Sequence, residues 1–374
     1  MKFNWKNSFF ILGLSVSLFA CKEETTDVVF PELEIPTTYT TTSYQSNASA
    51  ELIVRSNLSA LASAMQVGRT GATVNESALL AEFNQGNPSL ESITTAYYAE
   101  RVPSWLAELA KASGGTFDPA VAPTGQGGVY GGYLFDENGL ELEQVVEKGL
   151  FGAALYNHAL TIMKSDNLTA SDIDKLVAIF GAHPSFPNSD NAVENKDVFA
   201  AKYAARRDKN DGTGLYTAIK TNLITAKAAI EAGADYNQNR DKALSDFRYN
   251  WEKSNMATVI NYLISASSKL SKTDATDADK ASALHAYSES VGFLHGWKGI
   301  DATDKAITDA ELDQILELMN APADATPTSY EFVTDSFNQL PKFQLVIDKL
   351  QQIYKFTDQE VTDFAFNWVS EQGR

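Results

Sequence analysis

Residues 140–163, LELEQVVEKGLFGAALYNHALTIM, constrain the fold more than any other stretch of the chain. The segment contains no proline and follows a turn signal, Asp136-Glu137-Asn138-Gly139. Wound as a helix, it places Val145, Val146, Leu150, Phe151, Leu155, Tyr156, Leu160 and Ile162 on every side. A helix that is apolar all round is a buried helix, with neighbours on most faces. Gly149 and Gly152 carry no side chains, so a neighbour can approach closely there. Glu143, Glu147 and His158 share a narrow strip of the same helix, and that strip needs polar partners inside the fold.

Helical signals recur on both sides of this segment. Residues 48–66 carry Leu52, Leu58, Leu61 and Met65 on one side and are stopped by Gly68. Shorter helices are expected over 76–83, 89–100 and 104–112. Further helices are expected over 170–180, 196–207, 215–233 and 280–297, with one long or two shorter helices over 240–270. Residues 330–354 read as helical with a break at Pro341. The patterns Thr308-Asp309-Ala310-Glu311 and Thr357-Asp358-Gln359-Glu360 are capping boxes opening two more helices. No long alternating apolar pattern occurs, so the expected class is all-α, a helical bundle. The glycine-rich GQGGVYGGY, residues 125–133, follows no strand and does not read as a phosphate cradle. A small hairpin over 131–142, turning at Asn138-Gly139, is expected there instead. The acidic loop Asp208-Lys209-Asn210-Asp211-Gly212 has its glycine one place early for an EF-hand and reads as a turn.

Glu147-Lys148 and the apolar run after it resemble Glu252-Lys253 and its own run. This suggests an internal duplication, two packed bundle halves over 48–235 and 236–374. The first twenty residues read as a signal peptide, with Lys2 and Lys6 ahead of the apolar FFILGLSVSLF. Leu18-Phe19-Ala20-Cys21 resembles a bacterial lipobox, although Phe19 is bulkier than usual there. That resemblance implies cleavage before Cys21 and lipid attachment at its thiol and new amino terminus. Cys21 is the only cysteine, so no intrachain disulfide can form. Lys22-Glu23-Glu24 looks like the export signal of Bacteroidota surface lipoproteins, with a periplasm-facing protein as the alternative. Residues 21–47 read as an acylated tether and extended segment. The formal net charge of −18 repels phosphate backbones, so a nucleic-acid partner is not expected.

Two constellations carry candidate chemistry. On the helix SALHAYSESVGFLHGW, one half of the wheel holds His285, Ser288, Glu289, Gly292 and His295. That composition suits a polar seam between helices. His285 and Glu289 stand at i and i+4 and can reach one point, a candidate pair of metal donors. The second constellation is Arg248, Glu252 and Asn255, where Arg248 and Glu252 lie within an apolar arc. A buried Arg248–Glu252 pair is expected there, with Glu147 placed similarly on the central helix. Three readings follow: a hydrogen-bonded network fixing the bundle, a site for iron, zinc or an organic anion, and a general base. The binding reading expects a closed polar pocket between these two helices. The catalytic reading expects an open cleft. The architectural reading expects the groups to satisfy one another.

Several stretches also resemble a known family. They are Ile35-Pro36-Thr37-Thr38-Tyr39, Phe135-Asp136-Glu137-Asn138-Gly139-Leu140 with the EKGLFGA that follows, FGAHPSFP from Phe180, DVFAAKYAARRD from Asp197, and His285-Ala286-Tyr287-Ser288-Glu289. In this order they are similar to a Bacteroidota lipoprotein family, a domain of unknown function found beside imelysins. The resemblance implies an imelysin-like helical fold. It also implies a role around iron or haem acquisition beside an outer-membrane receptor or an imelysin-like protein. Imelysins carry a histidine with a glutamate three residues later, whereas His285 and Glu289 are four apart. Where the family has an aspartate-glutamate pair, this chain has Asp174-Lys175. The expected function is thus a surface lipoprotein that assists binding or uptake of an iron-containing or other nutrient ligand without catalysis. The alternatives are an imelysin-like metallopeptidase and a structural accessory subunit of an outer-membrane receptor.

Overall fold

The central helix forms and is interrupted. In the computed structural model, which describes residues 31–191 and 194–374, helical structure runs without a break from Leu142 to Met163. Its middle turn, Phe151–Tyr156, is a π-helix, a wide turn with one residue more than an α-turn. The signal-peptide, lipobox and export-signal readings, including Cys21, fall outside the described residues.

We number the helices of seven residues or more. They are α1 (Ser49–Gln66), α2 (Glu76–Asn84), α3 (Val102–Ala112), α4 (Leu142–Leu150), α5 (Asn157–Met163), α6 (Ala170–Phe180) and α7 (Phe199–Arg207). They continue with α8 (Leu215–Ala232), α9 (Asn237–Leu270), α10 (Asp277–His295), α11 (Asp309–Leu318), α12 (Pro341–Tyr354) and α13 (Asp358–Phe364). The only sheet among the described residues is a two-stranded hairpin, β1 (Gly128–Tyr130) and β2 (Tyr133–Phe135). The fold is an all-α bundle, as its periodicities require. Leu33–Arg374 form one compact unit. The expected boundary at 235/236 falls in the turn between α8 and α9, which pack against each other. The 34-residue α9 contacts α8, α10, α7 and α12, and α10 in turn packs on α4.

The α4–α10 contact is a contact between backbones. A Cβ on Gly292 would stand 2.5 Å from Gln144 O, and one on Gly296 2.1 Å from Gly149 O. On the other side, a Cβ on Gly149 would overlap the Tyr98 hydroxyl at 1.7 Å, and one on Gly152 would meet Gly296 O at 2.8 Å. The close approach expected at Gly149 and Gly152 is therefore reciprocated by glycines just before and after the C-terminus of α10.

Three expectations are corrected. The hairpin turns at Gly131-Gly132, both with positive φ as a two-residue loop requires, and not at Asn138-Gly139. Asn138-Gly139 instead lies in a turn built by the Asp136 side chain, whose Oδ1 accepts from Asn138 N (2.9 Å) and Leu140 N (2.8 Å). Second, the helix expected to start at residue 240 starts at Asn237, and of the two forms allowed over 240–270 the single long helix is the one present. Third, the tether ends earlier than residue 47, because residues 39–47 dock onto buried Asp174. Its Oδ2 accepts from Asn47 Nδ2 (2.7 Å) and Thr41 Oγ1 (2.8 Å), and its Oδ1 from the Tyr39 hydroxyl and Lys227 Nζ (3.2 Å). Lys227 also donates to Thr40 O (2.8 Å) and lies over the Tyr39 ring. Burial works against the Asp174 carboxylate, yet the bonds from Tyr39, Asn47, Thr41 and Lys227 hold its pKa below the ordinary value.

Three outcomes are expected in urea unfolding. Gly292→Ala should lower the unfolding free energy by at least about 1–3 kcal/mol, because backbone cannot yield as a side chain can. Asp174→Ala should lower it by about 3–5 kcal/mol, since it strands the Lys227 charge. A chain beginning at Ser43 should be weakened in the same direction, as it lacks Tyr39 and Thr41.

Candidate functional site

The polar half of α10 faces α4 and is a seam between helices. His285 Nδ1 bonds Glu141 Oε2 at 2.6 Å, and its Nε2 stands 3.5 Å from Glu289 Oε2. The imidazole stacks on Tyr133 of β2, centroids 4.4 Å apart. Ser288 Oγ accepts from Glu141 N at 2.9 Å. Glu289 takes the Tyr203 hydroxyl (3.3 Å) and lies 3.7 Å from Lys148 Nζ, which pairs with Glu147 at 2.8 Å. On the far side, Arg69 bridges Glu141 (Nη2, 2.8 Å) and Glu143 (Nε, 2.6 Å). Glu143 also accepts from Gln66 (3.1 Å) and Gln144 (3.0 Å).

The expected strip on the central helix is therefore met by α1, running antiparallel to it. Glu143 sits opposite Gln66, and His158, fifteen residues on, bonds Glu51 Oε1 at 3.1 Å, fifteen residues back along α1.

Four carboxylates, buried Glu141, Glu143 and Glu289 and half-buried Glu147, thus share buried Lys148 and the half-buried Arg69 and His285. Burial raises both the Glu141 and Glu143 carboxyls to about 7, Arg69 opposing it, and each repels further acids of the cluster. Burial lowers the His285 imidazole, with Glu289 opposing and Arg69 and Lys148 assisting. Despite burial, Glu147 and Glu289 hold the Lys148 ammonium up to about 12. The seam consequently holds a proton among its carboxylates near neutral pH.

The second constellation comes apart. Arg248 and Glu252 do not pair, because loop groups reach each of them first. Arg248 Nη1 bonds Asp304 Oδ1 at 2.5 Å, and Asp304 Oδ2 takes Lys164 at 2.5 Å. Glu252 accepts the amides of Ala306 (2.7 Å) and Ile307 (2.9 Å) and the Tyr354 hydroxyl (2.7 Å). Asn255 Nδ2 bonds Phe293 O at 2.9 Å and so ties α9 to α10. Neither Arg248 nor Glu252 reaches His285. Glu147, paired with its neighbour Lys148, has no resemblance in environment to Glu252. Among the described residues no three His, Cys, Asp or Glu side chains converge as metal ligands, so His285 and Glu289 stand as two donors without a third.

His295 lies apart from the seam, at the wall of an open cleft of about 520 Å³. Its Nε2 bonds the Tyr97 hydroxyl at 2.9 Å, and its ring packs edge-on against Tyr97, Tyr98 and Trp105. Burial lowers its pKa to about 3, with Arg101 and Lys298 assisting, so the imidazole is neutral. The cleft is walled by Trp105, Val145 and Val291 and edged by Glu108, Glu137 and Asp324, with Asp136 buried in its lining. Burial raises the Asp136 carboxyl to about 6, against the amide bonds from Leu140 and Asn138.

Several of these groups carried no local signal. Arg69, Glu141, Lys148 and Tyr133 join the seam from distant segments, and Trp105 and Tyr97 build the cleft. The acidic Glu141-Leu142-Glu143 at the start of a buried helix was the one available hint that a cation must come from elsewhere. No family model, no curated protein and no solved structure matches the chain.

The seam sets a pH dependence. Glu141 and Glu143 have folded pKa values above the ordinary 4.5. Their contribution to stability is complete below pH 4.5 and is lost as pH rises through about 7. His285, shifted down, acts in the opposite direction. Glu143→Gln, neutral throughout, should therefore gain stability relative to the unsubstituted chain between pH 5 and pH 8 in urea unfolding. A constant difference across that interval would count against the shared proton.

Proposed function

We propose that the chain is a cell-envelope lipoprotein, attached to the outer membrane through lipid at Cys21 and facing outward. In this reading it binds a nutrient solute, iron-containing or otherwise, for an outer-membrane receptor or an imelysin-like protein, without transforming it. The observation that carries the reading is the contrast between the two histidine sites. The seam groups are matched by one another and enclosed, as architecture demands. The His295 cleft is open, and its 520 Å³ lies in the range of small-molecule sites. An aromatic and apolar wall edged by Glu108, Glu137 and Asp324, which pair with Lys111 and Arg101, favours a solute with a planar apolar part and hydrogen-donating groups outside it. With no convergent set of metal donors, iron fits this cleft only inside a complex that brings its own ligands.

The signal-like amino terminus and the lipobox-like Leu18-Phe19-Ala20-Cys21 support the address. The family resemblance supports the connection to iron. A structural accessory role is favoured by one observation, the mutual satisfaction of the seam, and would leave the cleft without a ligand.

The test is metal and haem content, followed by titration with iron, zinc, haem and ferric chelates, of a chain lacking only residues 1–21. Trp105→Ala and His295→Ala should weaken any binding about 10-fold or more, at roughly 1.4 kcal/mol per decade. His285→Ala should leave binding intact and lower stability. Loss of binding in His285→Ala alone, with the fold retained, would move the site to the seam. No binding of any of these probes would leave the accessory role.

A further inference from the structure

Arg207, the last residue of α7, is a buried cation without a counter-ion. It is 6% exposed, and no carboxylate of the described residues pairs with it. Its Nη1 donates to the carbonyl of Phe364 at 2.7 Å, an oxygen that Asn261 Nδ2 already shares at 2.7 Å. Its Nε meets no acceptor. The other cations near it are paired. Arg206 pairs with Asp190 at 2.6 Å, Lys209 pairs with Asp363, and Lys253 lies 3.7 Å from Glu360. Asp211 accepts from the amide and hydroxyl of Thr213. An unpaired charge in a protein interior is strongly destabilising, and the chain retains a guanidinium there instead of an apolar residue.

Arg207 lines a cleft of about 350 Å³ bounded by the 209–215 loop, α9 and α13. Gly214 and Leu215 bring the first turn of the 18-residue α8 to the same wall. Asp208 Oδ2 accepts from Thr217 N at 2.9 Å, so this helix end is partly capped from inside. The exposed side of the turn still presents the positive end of the dipole. Lys209 and Lys253 stand on the opposite walls, each paired but within the same cleft. Burial pushes the Arg207 guanidinium down to about 10, with Arg206 assisting, and it remains charged at neutral pH.

We propose that this cleft is an oxyanion site, in which Arg207 and the first turn of α8 take the carboxylate or phosphate of a small solute. The guanidinium fork matches two oxygens of either group. The lining holds three cations, Arg207, Lys209 and Lys253, and three acids, Asp211, Glu360 and Asp363, so the anion is selected by the guanidinium geometry and not by net charge. The chain's overall acidity does not forbid this, since charges more than about 8–10 Å away through solvent are screened at physiological ionic strength. The site is separate from the His295 cleft, and the two stand or fall independently.

The experiment follows the Arg207 Nε–H signal by nitrogen-proton NMR in a chain lacking only residues 1–21. Sodium acetate and sodium phosphate are titrated at constant ionic strength against chloride. A saturable shift with acetate alone assigns a carboxylate ligand, with phosphate alone a phosphate, and with both a site for either. The melting temperature should rise with the same anion. Arg207→Met should abolish that rise while leaving a chain at least as stable without anion. Absence of a saturable shift with either anion at tens of millimolar overturns the proposal. So does an anion-dependent rise in melting temperature that survives Arg207→Met.

Discussion

The fold depends on the approach of two backbones. Where α4 and the turn after it meet α10, the glycines at 152, 292 and 296 remove the side chains that would hold the helices apart, while Gly149 makes room for Tyr98. Ordinary helix pairs lie 8–10 Å apart with side chains interleaved. Here the gap closes, and side chains flanking the contact are pushed to its edges. The polar ones gather along one edge as Glu141, Lys148, His285 and Glu289. Trp105 and His295 lie on the Tyr98 side, where the tyrosine ring fills the space above Gly149 and its hydroxyl bonds Val145 O at 2.6 Å. One close contact thus produces both the enclosed charge cluster and the wall of the open cleft.

The helices were legible because their signals are local. The capping boxes at Thr308 and Thr357 form as their spacing implies, with each threonine hydroxyl accepting from the residue three on. The polar face of α10 is a seam at His285, Ser288 and Glu289, since its shortage of lysine and arginine is a property of one helix, but His295 at its end belongs to the cleft instead. What failed was pairing. Arg248 and Glu252 are correctly spaced for each other on α9, yet Asp304 and the amides of Ala306 and Ile307 arrive from fifty residues away. A main-chain amide pair and a fixed carboxylate outcompete a helix-surface pair worth only about 0.2–0.5 kcal/mol. The hairpin was misplaced for a related reason. Asn-Gly is a strong turn signal, but the Asp136 side chain captured it, and the strands were closed by Gly131-Gly132.

The buried ions divide by how they are matched. In the seam each acid has at least one basic or amide partner, and the excess of acids is handled by retaining a proton. Glu252 is matched by amides and a phenol, with no cation in contact. Arg207 alone among these groups is left to a shared carbonyl. A network that is complete fixes a structure, whereas an incomplete one leaves something for a ligand to do.

The docked segment at residues 39–47 has a mechanical consequence. Tension carried along the segment before residue 39 meets side-chain bonds at Tyr39 and Thr41, and through Asp174 it passes to α6 and to Lys227 on α8. Force therefore enters through side-chain bonds anchored deep in two core helices, and not through a helix end that could unwind turn by turn. The clasp acts as a strain relief, so that movement of a tether would shift the bundle as a whole without loosening the contact between α4 and α10.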